Sequence, residues 1–533
     1  MNKTRVLRKS AFLKTIFVSI ACLAVFSIPI LTNERELPEL KISIVGGGIS
    51  GLTTGYRIDK NDMAQLDVFE ARGRLGGRIL TARINGKITE LGGYNLRDGG
   101  KAPNLKGIIH ELGLTVKSYF KKRDTQWKCT KYFDGNKIIF TKSRLKKCAF
   151  DLDSLHEHLT QLAEEYASMK EVIDALFPED PILRAVFAAK VEDYEGAAVE
   201  KLSSHCVDTL YYHLRGALNS AYGYDDDTTV PTEYVDGGNA LIIEELGKKL
   251  DGKVHLNMPL ERISKKTLDK PNSIGKLYTY ELTFTTGESR TADIVVLTIP
   301  CSVYKDIVFD EDVIPAERVD AISKVLYGTN SKIMLPVISA KKGASSSYTN
   351  GRATLRLDDN NHATIYYIGN NGIFSPETIE SHFKKDKAFI ENSYNIDPNL
   401  PQPICAQNKQ FIDYEGPVGH SWLNDPYIKG SYSCVGVGQE KTFLALEEYA
   451  GEKVKTLFVP IDDTLFFAGE HTSTLFEAAG EQVKKIFASA NDGNNRPATQ
   501  FDVDGLDVGG TMEAAVDSGN KAARIIENLY GNK

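Results

Sequence analysis

Three glycines near the start of the chain have the spacing that phosphate binding requires. Gly46, Gly48 and Gly51 form a G-x-G-x-x-G turn, with Ile49 and Ser50 between the second and third glycine. In such a turn the first glycine allows a tight bend, and the second lets the backbone approach a pyrophosphate. The third lets a helix pack against a strand, and the amides that begin this helix face the negative charge. These residues predict a dinucleotide site.

The elements around the turn are those that a βαβ unit needs to position it. The apolar run Ile42–Val45 precedes the glycines and predicts a buried strand, and a helix-like segment follows them. Leu66–Phe69 predicts a second strand, which leads into Glu70, nineteen residues after Gly51. An acid at this distance can accept hydrogen bonds from the ribose hydroxyls of an adenosine. The glycine pattern alone is a weak signal, and the strands, the helix and the acid strengthen it.

The segment after this unit carries a second pattern of arginine and glycine. Glu70, Ala71, Arg72 and Arg78 belong to the run E-A-R-G-R-L-G-G-R, which has the form E-A-x-x-R-x-G-G-R. This form resembles the flavin-containing amine oxidase family, which includes monoamine oxidases, polyamine oxidases and L-amino-acid oxidases. The resemblance implies that the glycine pair runs beside the cofactor and that Arg78 neutralises its phosphates. Because an NAD site would not need this second segment, we expect the cofactor to be FAD.

The resemblance also implies a fold class and a domain organisation. We expect an α/β protein in which a Rossmann-like FAD-binding domain is interleaved with an α+β substrate domain. The chain has 533 residues, which exceeds one ordinary core and agrees with two domains. The FAD-binding domain would comprise residues 41–97, 230–332 and 455–533. The substrate domain would comprise the largely helical residues 98–229 and then residues 333–454.

Composition and charge argue against several classes of protein. The hydrophobic content of 42% and the charged content of 25% are those of a soluble globular chain. The net charge of −7 argues against nucleic acid as a partner. The seven cysteines form no C-x-x-C pair and no histidine cluster accompanies them, so we expect no metal site. Disulfides among them are compatible with an oxidising compartment.

Residues 1–32 differ from the rest of the chain. Basic residues from Lys3 to Lys14 precede the apolar run Ile16–Leu31, which is the pattern of a secretory signal peptide. The run has sixteen residues and contains Pro29, so it is shorter than a full membrane span of about twenty. No clean A-x-A cleavage site follows, and an uncleaved N-terminal anchor is the alternative. We therefore expect an exported protein, periplasmic or secreted, or one attached to a membrane through this segment.

A segment that follows the arginine motif also matches the family. The resemblance implies that Gly92, Gly93, Tyr94 and Asn95 pass beside the isoalloxazine ring, with backbone amides near flavin or phosphate groups. In the L-amino-acid branch an arginine in this region pairs with the substrate carboxylate. Arg97 is therefore a candidate substrate-binding residue, with a solvent-exposed arginine as the alternative.

The run Val254–Ile263 is predicted to form one strand after a helix that ends near Leu250. A similar passage in the family places the backbone of the residue at Leu260 against the adenine edge. Without the resemblance, this passage is an ordinary αβ unit.

Lys332 is the first candidate for chemistry in the middle of the chain. It stands before an apolar strand, where many amine oxidases place a lysine that is hydrogen-bonded through water to flavin N5. The alternative is a lysine whose aliphatic stem packs at a strand end while its ammonium stays in water.

Tyr432 and Thr511 are the other two catalytic candidates. Tyr432 matches a tyrosine that forms half of an aromatic cage for the amine in monoamine oxidases, so it is also a candidate substrate-binding residue. The second aromatic of that cage often stands where this chain has Thr511. Monoamine oxidases attach the flavin through a cysteine at the position of Ser431, so we expect non-covalent FAD.

The C-terminal part carries the remaining cofactor candidates. Glu470 lies in the run F-A-G-E-H-T-S, and in the family this acid bonds the ribityl chain. Gly510, Thr511 and Met512 open the last helix, whose N-terminal amides would face flavin O2 and N1 and stabilise negative charge there. Residues 474–508 lie between these two motifs, which are closer together in the family, and are expected to form a surface loop.

The reaction that the resemblance implies is oxidation of a carbon–nitrogen bond. A neutral amine or amino acid would lie over the flavin and pass its α-hydrogen to N5 as hydride. The imine would hydrolyse, and O2 would reoxidise the flavin and give hydrogen peroxide. One alternative is a flavoenzyme that oxidises carbon–carbon bonds, as carotenoid desaturases and protoporphyrinogen oxidases do. The other is a flavin-binding protein without turnover.

Overall fold

The first βαβ unit forms around the glycine turn as the sequence predicts. The computed structural model describes residues 39–96, 101–119, 131–222, 232–341, 348–475 and 510–531, and Glu39–Lys533 cluster as one unit. Arg97, residues 1–38 and all but the first two residues of 474–508 lie outside the described residues.

The α-helices of the described residues, numbered along the chain, are α1 Ile49–Lys60, α2 Pro103–Glu111, α3 Lys142–Lys147, α4 Leu155–Glu165, α5 Met169–Leu176, α6 Pro181–Glu195, α7 Val207–Tyr222, α8 Ala240–Lys249, α9 Ala316–Ser323, α10 Ile379–Lys385, α11 Lys387–Ser393, α12 Glu440–Phe443 and α13 Met512–Tyr530. None of these described helices has both the length and the hydropathy that a membrane span needs.

The β-strands of the same residues are β1 Lys41–Val45, β2 Gln65–Phe69, β3 Thr81–Ile84, β4 Lys87–Glu90, β5 Val116–Tyr119, β6 Lys131–Phe133, β7 Ile138–Phe140, β8 Thr232–Val235, β9 Val254–His255, β10 Leu260–Thr267, β11 Tyr278–Phe284, β12 Ser289–Ala292, β13 Ile294–Leu297, β14 Val308–Phe309, β15 Leu326–Tyr327, β16 Ser331–Pro336, β17 Ser339–Ala340, β18 Tyr348–Thr349, β19 Ala353–Leu357, β20 His362–Tyr367, β21 Tyr394–Asn395, β22 Ile404–Cys405, β23 Asp413–Tyr414, β24 Val418–His420, β25 Ser433–Cys434, β26 Leu446–Tyr449, β27 Glu452–Lys455 and β28 Leu465–Phe467.

A five-stranded parallel sheet supports the glycine turn. Its order is β28-β13-β1-β2-β9, so strands from three distant parts of the chain lie side by side. β13 is buried along its whole length: Ile294 and Val296 pack with α1, α8 and α13, whereas Val295 and Leu297 pack on the opposite face. Burial on both faces explains why this strand is an uninterrupted apolar run. Each fully buried side chain of this kind stabilises the fold by about 1.5–3 kcal/mol.

An eight-stranded sheet forms the second large layer. Its order is β22-β24-β16-β20-β19-β18-β6-β7. Alternate residues of the central strands point to opposite faces. Ile333, Leu355 and Ile365 pack with Phe389 and Ile390 of α11 on one face. The other face carries the polar side chains described below.

Capping residues mark the start of α5 and both ends of α6. Ser168 and Glu171 form a capping box at the start of α5. Asp180 caps α6, with Pro181 as the first residue of the helix, and Gly196 ends α6 with a φ of 91°. These signals set the position of the C-terminal end of α6, which lies against the candidate site.

The expectation of one strand over Val254–Ile263 is wrong. The run divides into β9, at the edge of the parallel sheet, and β10, in a separate four-stranded sheet of order β12-β11-β10-β14. Asn257 adopts a φ of 58°, and Pro259, which follows Met258, has no N–H to donate. The amides of Asn257 and Met258 instead donate to the carbonyls of Arg72 and Glu70, at 3.0 and 2.9 Å. This corner therefore holds the arginine motif.

Candidate active site

The glycine turn leaves open space at one position only among its three motif glycines. A Cβ on Gly46, which has a φ of 115°, would lie 2.5 Å from Thr298 Oγ1, and a Cβ on Gly51 would overlap the Gly46 carbonyl oxygen. The packing of the chain therefore requires these two glycines. Gly48 has an ordinary φ of −74°, and a Cβ there would meet no described atom within 4 Å. A glycine at position 48 fits a ligand that approaches from outside the chain, as a pyrophosphate does.

Helix α1, which begins at this turn, packs closely against α13. Ile49 and Ser50 begin α1, and the Ser50 hydroxyl lies 3.0 Å from the hydroxyl of Ser518 in α13. A Cβ on Gly519 would lie 2.6 Å from the Ser50 carbonyl oxygen, so the helices cross at small residues. Both helices pack on the same face of the parallel sheet.

Glu70 closes the glycine turn onto the second strand. Its carboxylate accepts hydrogen bonds from the backbone N–H of Gly47 at 2.8 Å and from that of Arg72, which follows Ala71, at 3.0 Å. The Arg72 guanidinium is buried and bonds to both Glu70 and Asp425. Both side chains therefore hold the chain itself: Glu70 joins the glycine turn to the second strand, and Arg72 joins Glu70 to Asp425.

Arg74 is the first fixed arginine of the E-A-x-x-R-x-G-G-R form, and the sequence reasoning assigned it no role. Its guanidinium donates to Asn408 Oδ1 at 2.5 Å and to the carbonyls of Leu75, Gly77 and Ile79, at 3.1, 3.0 and 3.4 Å. Burial lowers its pKa to about 10. Arg74 thus fixes the glycine pair loop. Its signal was an arginine inside a glycine-rich loop with no acid within the loop.

An ion pair joins the N-terminal and C-terminal motifs. Arg78 Nη1 lies 2.8 Å from Glu470 Oε1 and 2.9 Å from the Ser431 carbonyl oxygen. Glu470 also accepts from the hydroxyl and the N–H of Ser433, at 2.6 and 3.2 Å. Burial alone would raise the pKa of Glu470, but Arg78 and Ser433 outweigh it and hold this pKa below its usual value. The carboxylate stays charged and holds Arg78.

His471, the residue after Glu470, belongs to a buried polar cluster with Tyr327 and Lys455. His471 Nδ1 lies 3.2 Å from the Tyr327 hydroxyl, and its carbonyl accepts from Lys455 Nζ at 2.8 Å. Burial lowers the pKa of His471 to about 3 and that of Lys455 to about 8. Lys455 Nζ lies 3.7 Å from the ring centroid of Phe443. His471 is neutral here, which fits a structural role.

Gly92 and Gly93 bring two other motif segments together. A Cβ on Gly92 would overlap the Arg78 carbonyl oxygen, and a Cβ on Gly93 would lie 3.0 Å from Met512 Sδ. The backbone at Gly92 therefore leaves no room for a side chain, and the segment after β4 passes between the arginine motif and the start of α13.

The next two residues of this segment contact strand β8. The Tyr94 ring stacks on Tyr234, with centroids 5.9 Å apart, and Asn95 Oδ1 accepts from the Glu233 amide at 3.1 Å. Asn239 Nδ2 donates to the carbonyls of Gly93 and Tyr94, at 3.0 and 2.8 Å.

Lys332 lies inside strand β16 and not before it. Its ammonium donates to the Gly92 carbonyl and lies 5.9 Å from the centroid of the Tyr366 ring. Glu90, two residues before Gly92, is buried and accepts from the Thr81 hydroxyl at 2.9 Å. The bond from Lys332 to the Gly92 carbonyl therefore directs the ammonium towards the Gly92–Gly93 segment and away from bulk solvent.

Tyr366, which the sequence reasoning missed, stands beside Tyr432. Asn330 Nδ2 donates to both hydroxyls, at 3.3 Å each, and the Tyr432 hydroxyl donates to the Tyr194 carbonyl at 2.8 Å. The Tyr432 ring lies against Gly196 and Gly510, where added Cβ atoms would lie 2.8 and 3.1 Å from it. Strand β20 therefore places a second aromatic side chain beside Tyr432. The sequence feature that could have indicated Tyr366 is its place between the buried Ile365 and Tyr367, which puts it on the opposite face of the strand.

Thr511 has a structural task in this site. It caps α13, and its hydroxyl accepts from the Ala514 amide at 3.1 Å. Glu513, in the first turn, accepts from the amides of Asn104 and Leu105, at 3.0 and 2.7 Å, and so caps α2. Gly510, with a φ of 74°, makes the bend before the helix. Leu260, the adenine candidate, begins β10 and is buried.

The described cysteines and acids form no metal cluster. Cys148, Cys206, Cys301, Cys405 and Cys434 are free thiols. Within the described ranges, no three His, Cys, Asp or Glu side chains converge as metal ligands.

The pattern of motifs matches a known family over more than half of the chain. A family model described as flavin containing amine oxidoreductase matches residues 49–337. The chain belongs to this family, and it is a flavin-dependent oxidoreductase of the amine oxidase type.

Curated relatives agree with this membership. The probable polyamine oxidase 4 of Arabidopsis thaliana is 26% identical over 492 residues, which cover 86% of this chain and 88% of the relative. The L-amino-acid oxidase of Gloydius blomhoffii is 23% identical over 481 residues, which cover 85% of this chain and 88% of that protein.

Solved structures share the fold. A putrescine oxidase double mutant superposes with a TM-score of 0.61 at 16% identity, over 91% of this chain and 98% of that one. Cyclohexylamine oxidase from Brevibacterium oxydans IH-35A gives a TM-score of 0.61 at 18% identity, over 92% and 99%. The predicted α/β class, a Rossmann-like FAD domain interleaved with an α+β substrate domain, is confirmed.

Proposed function

We propose that this chain binds FAD non-covalently and oxidises the carbon–nitrogen bond of a small amine or amino acid, with O2 as the electron acceptor. One contact carries the proposal: the Lys332 ammonium, on the sheet of the substrate side, donates to the Gly92 carbonyl beside Arg78. This contact supports Lys332 as the proton donor, because it joins the eight-stranded sheet to the Gly92 segment.

The residues present fit the cofactor. The open space at Gly48 would take the pyrophosphate, Glu70 the ribose, and the backbone at Leu260 the adenine. The start of α13 at Met512 would face the flavin, since the first amides of a helix lack partners within it. FAD supplies the two-electron acceptor for the α-hydrogen of the amine.

The remaining tasks fall to the side chains around Lys332. Tyr366 and Tyr432 would orient the amine between their rings, and Lys332 would hold a proton at Nζ near the reacting carbon. Closely packed aromatic walls exclude water and align the reacting bond.

Non-covalent attachment is supported by the residues near Arg78. Ser431 has a hydroxyl in place of a thiol, and the Cys434 thiol is buried against the Leu326 carbonyl, at 3.6 Å. Acid precipitation tests this part: FAD should remain in the supernatant, and a flavin that pellets with the protein would contradict it.

The domain organisation is part of the proposal. Residues 41–97, 230–332 and 455–533 would form the FAD-binding domain, because each contributes a strand to the parallel sheet. Residues 98–229 and 333–454 would form the substrate domain.

We also propose export, or membrane attachment through residues 1–32. The support is the basic segment followed by the apolar run Ile16–Leu31. Fractionation of the native host followed by N-terminal sequencing tests it, and a full-length protein in the cytosol would contradict it.

The reaction is tested with purified protein under anaerobic conditions. Addition of an oxidisable amine or amino acid should bleach the flavin absorbance, and readmission of O2 should yield hydrogen peroxide. A yellow protein that no amine or amino acid reduces would contradict the proposal and favour a flavin-binding protein without turnover.

A further inference from the structure

Arg356 lies on the same face of the eight-stranded sheet as Lys332 and Tyr366. In the register of the sheet Lys332 pairs with Tyr366, and Tyr366 pairs with Thr354. Directly paired residues share a face, and so do residues two apart along a strand. Arg356, two residues after Thr354, therefore projects to the side of the candidate site. Its side chain is 55% exposed, whereas Thr354 and Leu355 are buried.

The guanidinium of Arg356 is held on one side and open on the other. One of its nitrogens, Nη2, bonds to Asp193, a buried acid of α6 that also accepts from the Thr354 hydroxyl at 2.9 Å. Its Cζ lies 5.6 Å from the centroid of the Tyr366 ring, and the Lys332 ammonium lies 5.9 Å from the same centroid. Within the part of the chain that the structure describes, Nε and Nη1 donate to no side chain or carbonyl.

The charges around Tyr366 are predominantly positive. Arg356, Lys332 and Lys190 carry positive charge, and Asp193 is bound to Arg356. The two other acids at the end of α6 are engaged by the chain: Glu192 accepts from the Val199 amide at 3.1 Å, and Glu195 from the hydroxyl of Thr209. A second ammonium group would be repelled here, and an anion would be attracted.

We propose that Arg356 is a specificity-determining residue that binds a carboxylate of the substrate. The substrate class is then an amine that also carries a negative charge, as an amino acid does, and not a diamine or polyamine. Asp193 is the positioning residue, because it holds one edge of the guanidinium and leaves the other edge for a two-point bond to a carboxylate. This inference rests on the proposed function, but its first test does not require turnover.

Calorimetric titration of the FAD-loaded protein with benzoate and with benzamide isolates the effect of the charge. Wild-type protein should bind benzoate about tenfold or more tightly than benzamide, and Arg356→Gln should lose this preference. Arg262→Gln is the matched control, because Arg262 pairs with Asp310 and is 51% exposed on a different sheet; it should keep the preference. Equal binding of the two probes to wild-type protein would overturn the proposal.

A folding control is needed because Arg356→Gln removes the ion-pair partner of the buried Asp193. The double variant Asp193→Asn/Arg356→Gln removes both charges and should show the same loss. Arg356→Lys keeps the charge and should recover part of the preference. A double variant that still prefers benzoate would overturn the proposal.

Turnover gives an independent comparison. Phenylalanine and phenethylamine differ by the carboxylate alone, and the ratio of their kcat/KM values should fall about tenfold to a hundredfold in Arg356→Gln, mainly through KM. A wild-type protein that binds benzoate and oxidises neither compound would contradict the proposed function and leave the carboxylate subsite standing. A wild-type protein that oxidises polyamines faster than amino acids would overturn the subsite.

Discussion

Arg78 Nη1 lies 2.8 Å from Glu470 Oε1, although 392 positions separate the two residues in the chain. Each belongs to one of the two strongest motifs of the sequence. Arg78 also donates to the Ser431 carbonyl, and Glu470 accepts from the Ser433 amide. The pair therefore ties the segment with Tyr432 to both ends of the cofactor site.

Glu470→Gln tests the importance of this pair. The variant keeps the shape of the side chain and removes the charge that Arg78 needs. Breaking a largely buried pair should lower the free energy of unfolding by about 2–3 kcal/mol and weaken FAD binding. Chemical unfolding and FAD titration measure both. Glu288→Gln, in the exposed pair with Arg290, is the control and should change stability by less than about 1 kcal/mol; equal effects of the two variants would contradict the role of the pair.

Gly48→Ala tests the open space in the glycine turn. The added methyl group meets no described atom, so the free energy of unfolding of the apoprotein should change by less than about 1 kcal/mol. Binding of FAD should weaken at least about tenfold, because the methyl group occupies the approach of the pyrophosphate. Gly51→Ala is the contrasting variant: it should destabilise the apoprotein itself, because its Cβ overlaps the Gly46 carbonyl. Normal FAD affinity in Gly48→Ala would refute the assignment.

Lys332→Met tests the candidate at the junction of the two sheets. The variant removes the proton donor beside Gly92 and keeps most of the side-chain volume. The rate of flavin reduction or reoxidation should fall by about 10²-fold or more while FAD stays bound. Stopped-flow absorbance measures these rates. Lys265→Met is the matched control, since this strand lysine also lies over a tyrosine, Tyr278, at 4.6 Å. Wild-type rates in Lys332→Met would remove the lysine from the chemistry.

Glu90 predicts a pH dependence of stability. Burial raises its pKa to about 8 from an ordinary value of 4.5. Between these values the folded protein holds a proton that the unfolded chain has released, so the free energy of unfolding falls as the pH rises through this window. Glu90→Gln mimics the neutral acid, so its stability relative to wild type should increase steadily from pH 5 to about 8.

The control for this prediction is Glu111, whose pKa shift has the opposite sign. The hydrogen bond from Arg57 lowers the pKa of Glu111 to about 2. The ionised Glu111 adds to the free energy of unfolding above its ordinary pKa of 4.5, and this stabilisation is lost as the pH falls towards 2. Glu111→Gln should therefore lower the free energy of unfolding by a constant amount between pH 5 and 8. Denaturant unfolding across this range measures both variants, and a parallel pH profile for Glu90→Gln and wild type would show that Glu90 ionises normally.

The glycine turn could be predicted because the contacts that close it are near in sequence. The arginine motif, whose partners are distant in the chain, was identified through the resemblance. The turn from Gly46 to Gly51 is closed by neighbouring backbone, and Glu70 bonds to Gly47, so local spacing contains the information. The wrong expectation of one strand over Val254–Ile263 also has a local cause. Pro259 cannot donate a hydrogen bond to a neighbouring strand, and it divides the run into two strands.

The contacts around Tyr366 could not be predicted in the same way. Tyr366, Arg356 and Asp193 meet through the register of three strands and the end of α6, and no sequence spacing records that register. Thr511 shows the same limit, because a threonine in the position of a cage residue also has the chemistry of a helix cap.

Equilibrium dialysis of the purified apoprotein against FAD tests the central claim most directly. Segments around Gly48, Arg78 and Glu470 should together form a single site, so the protein should become yellow and retain one FAD per chain, which acid releases unchanged. Apoprotein that stays folded and colourless after dialysis against FAD would contradict the account.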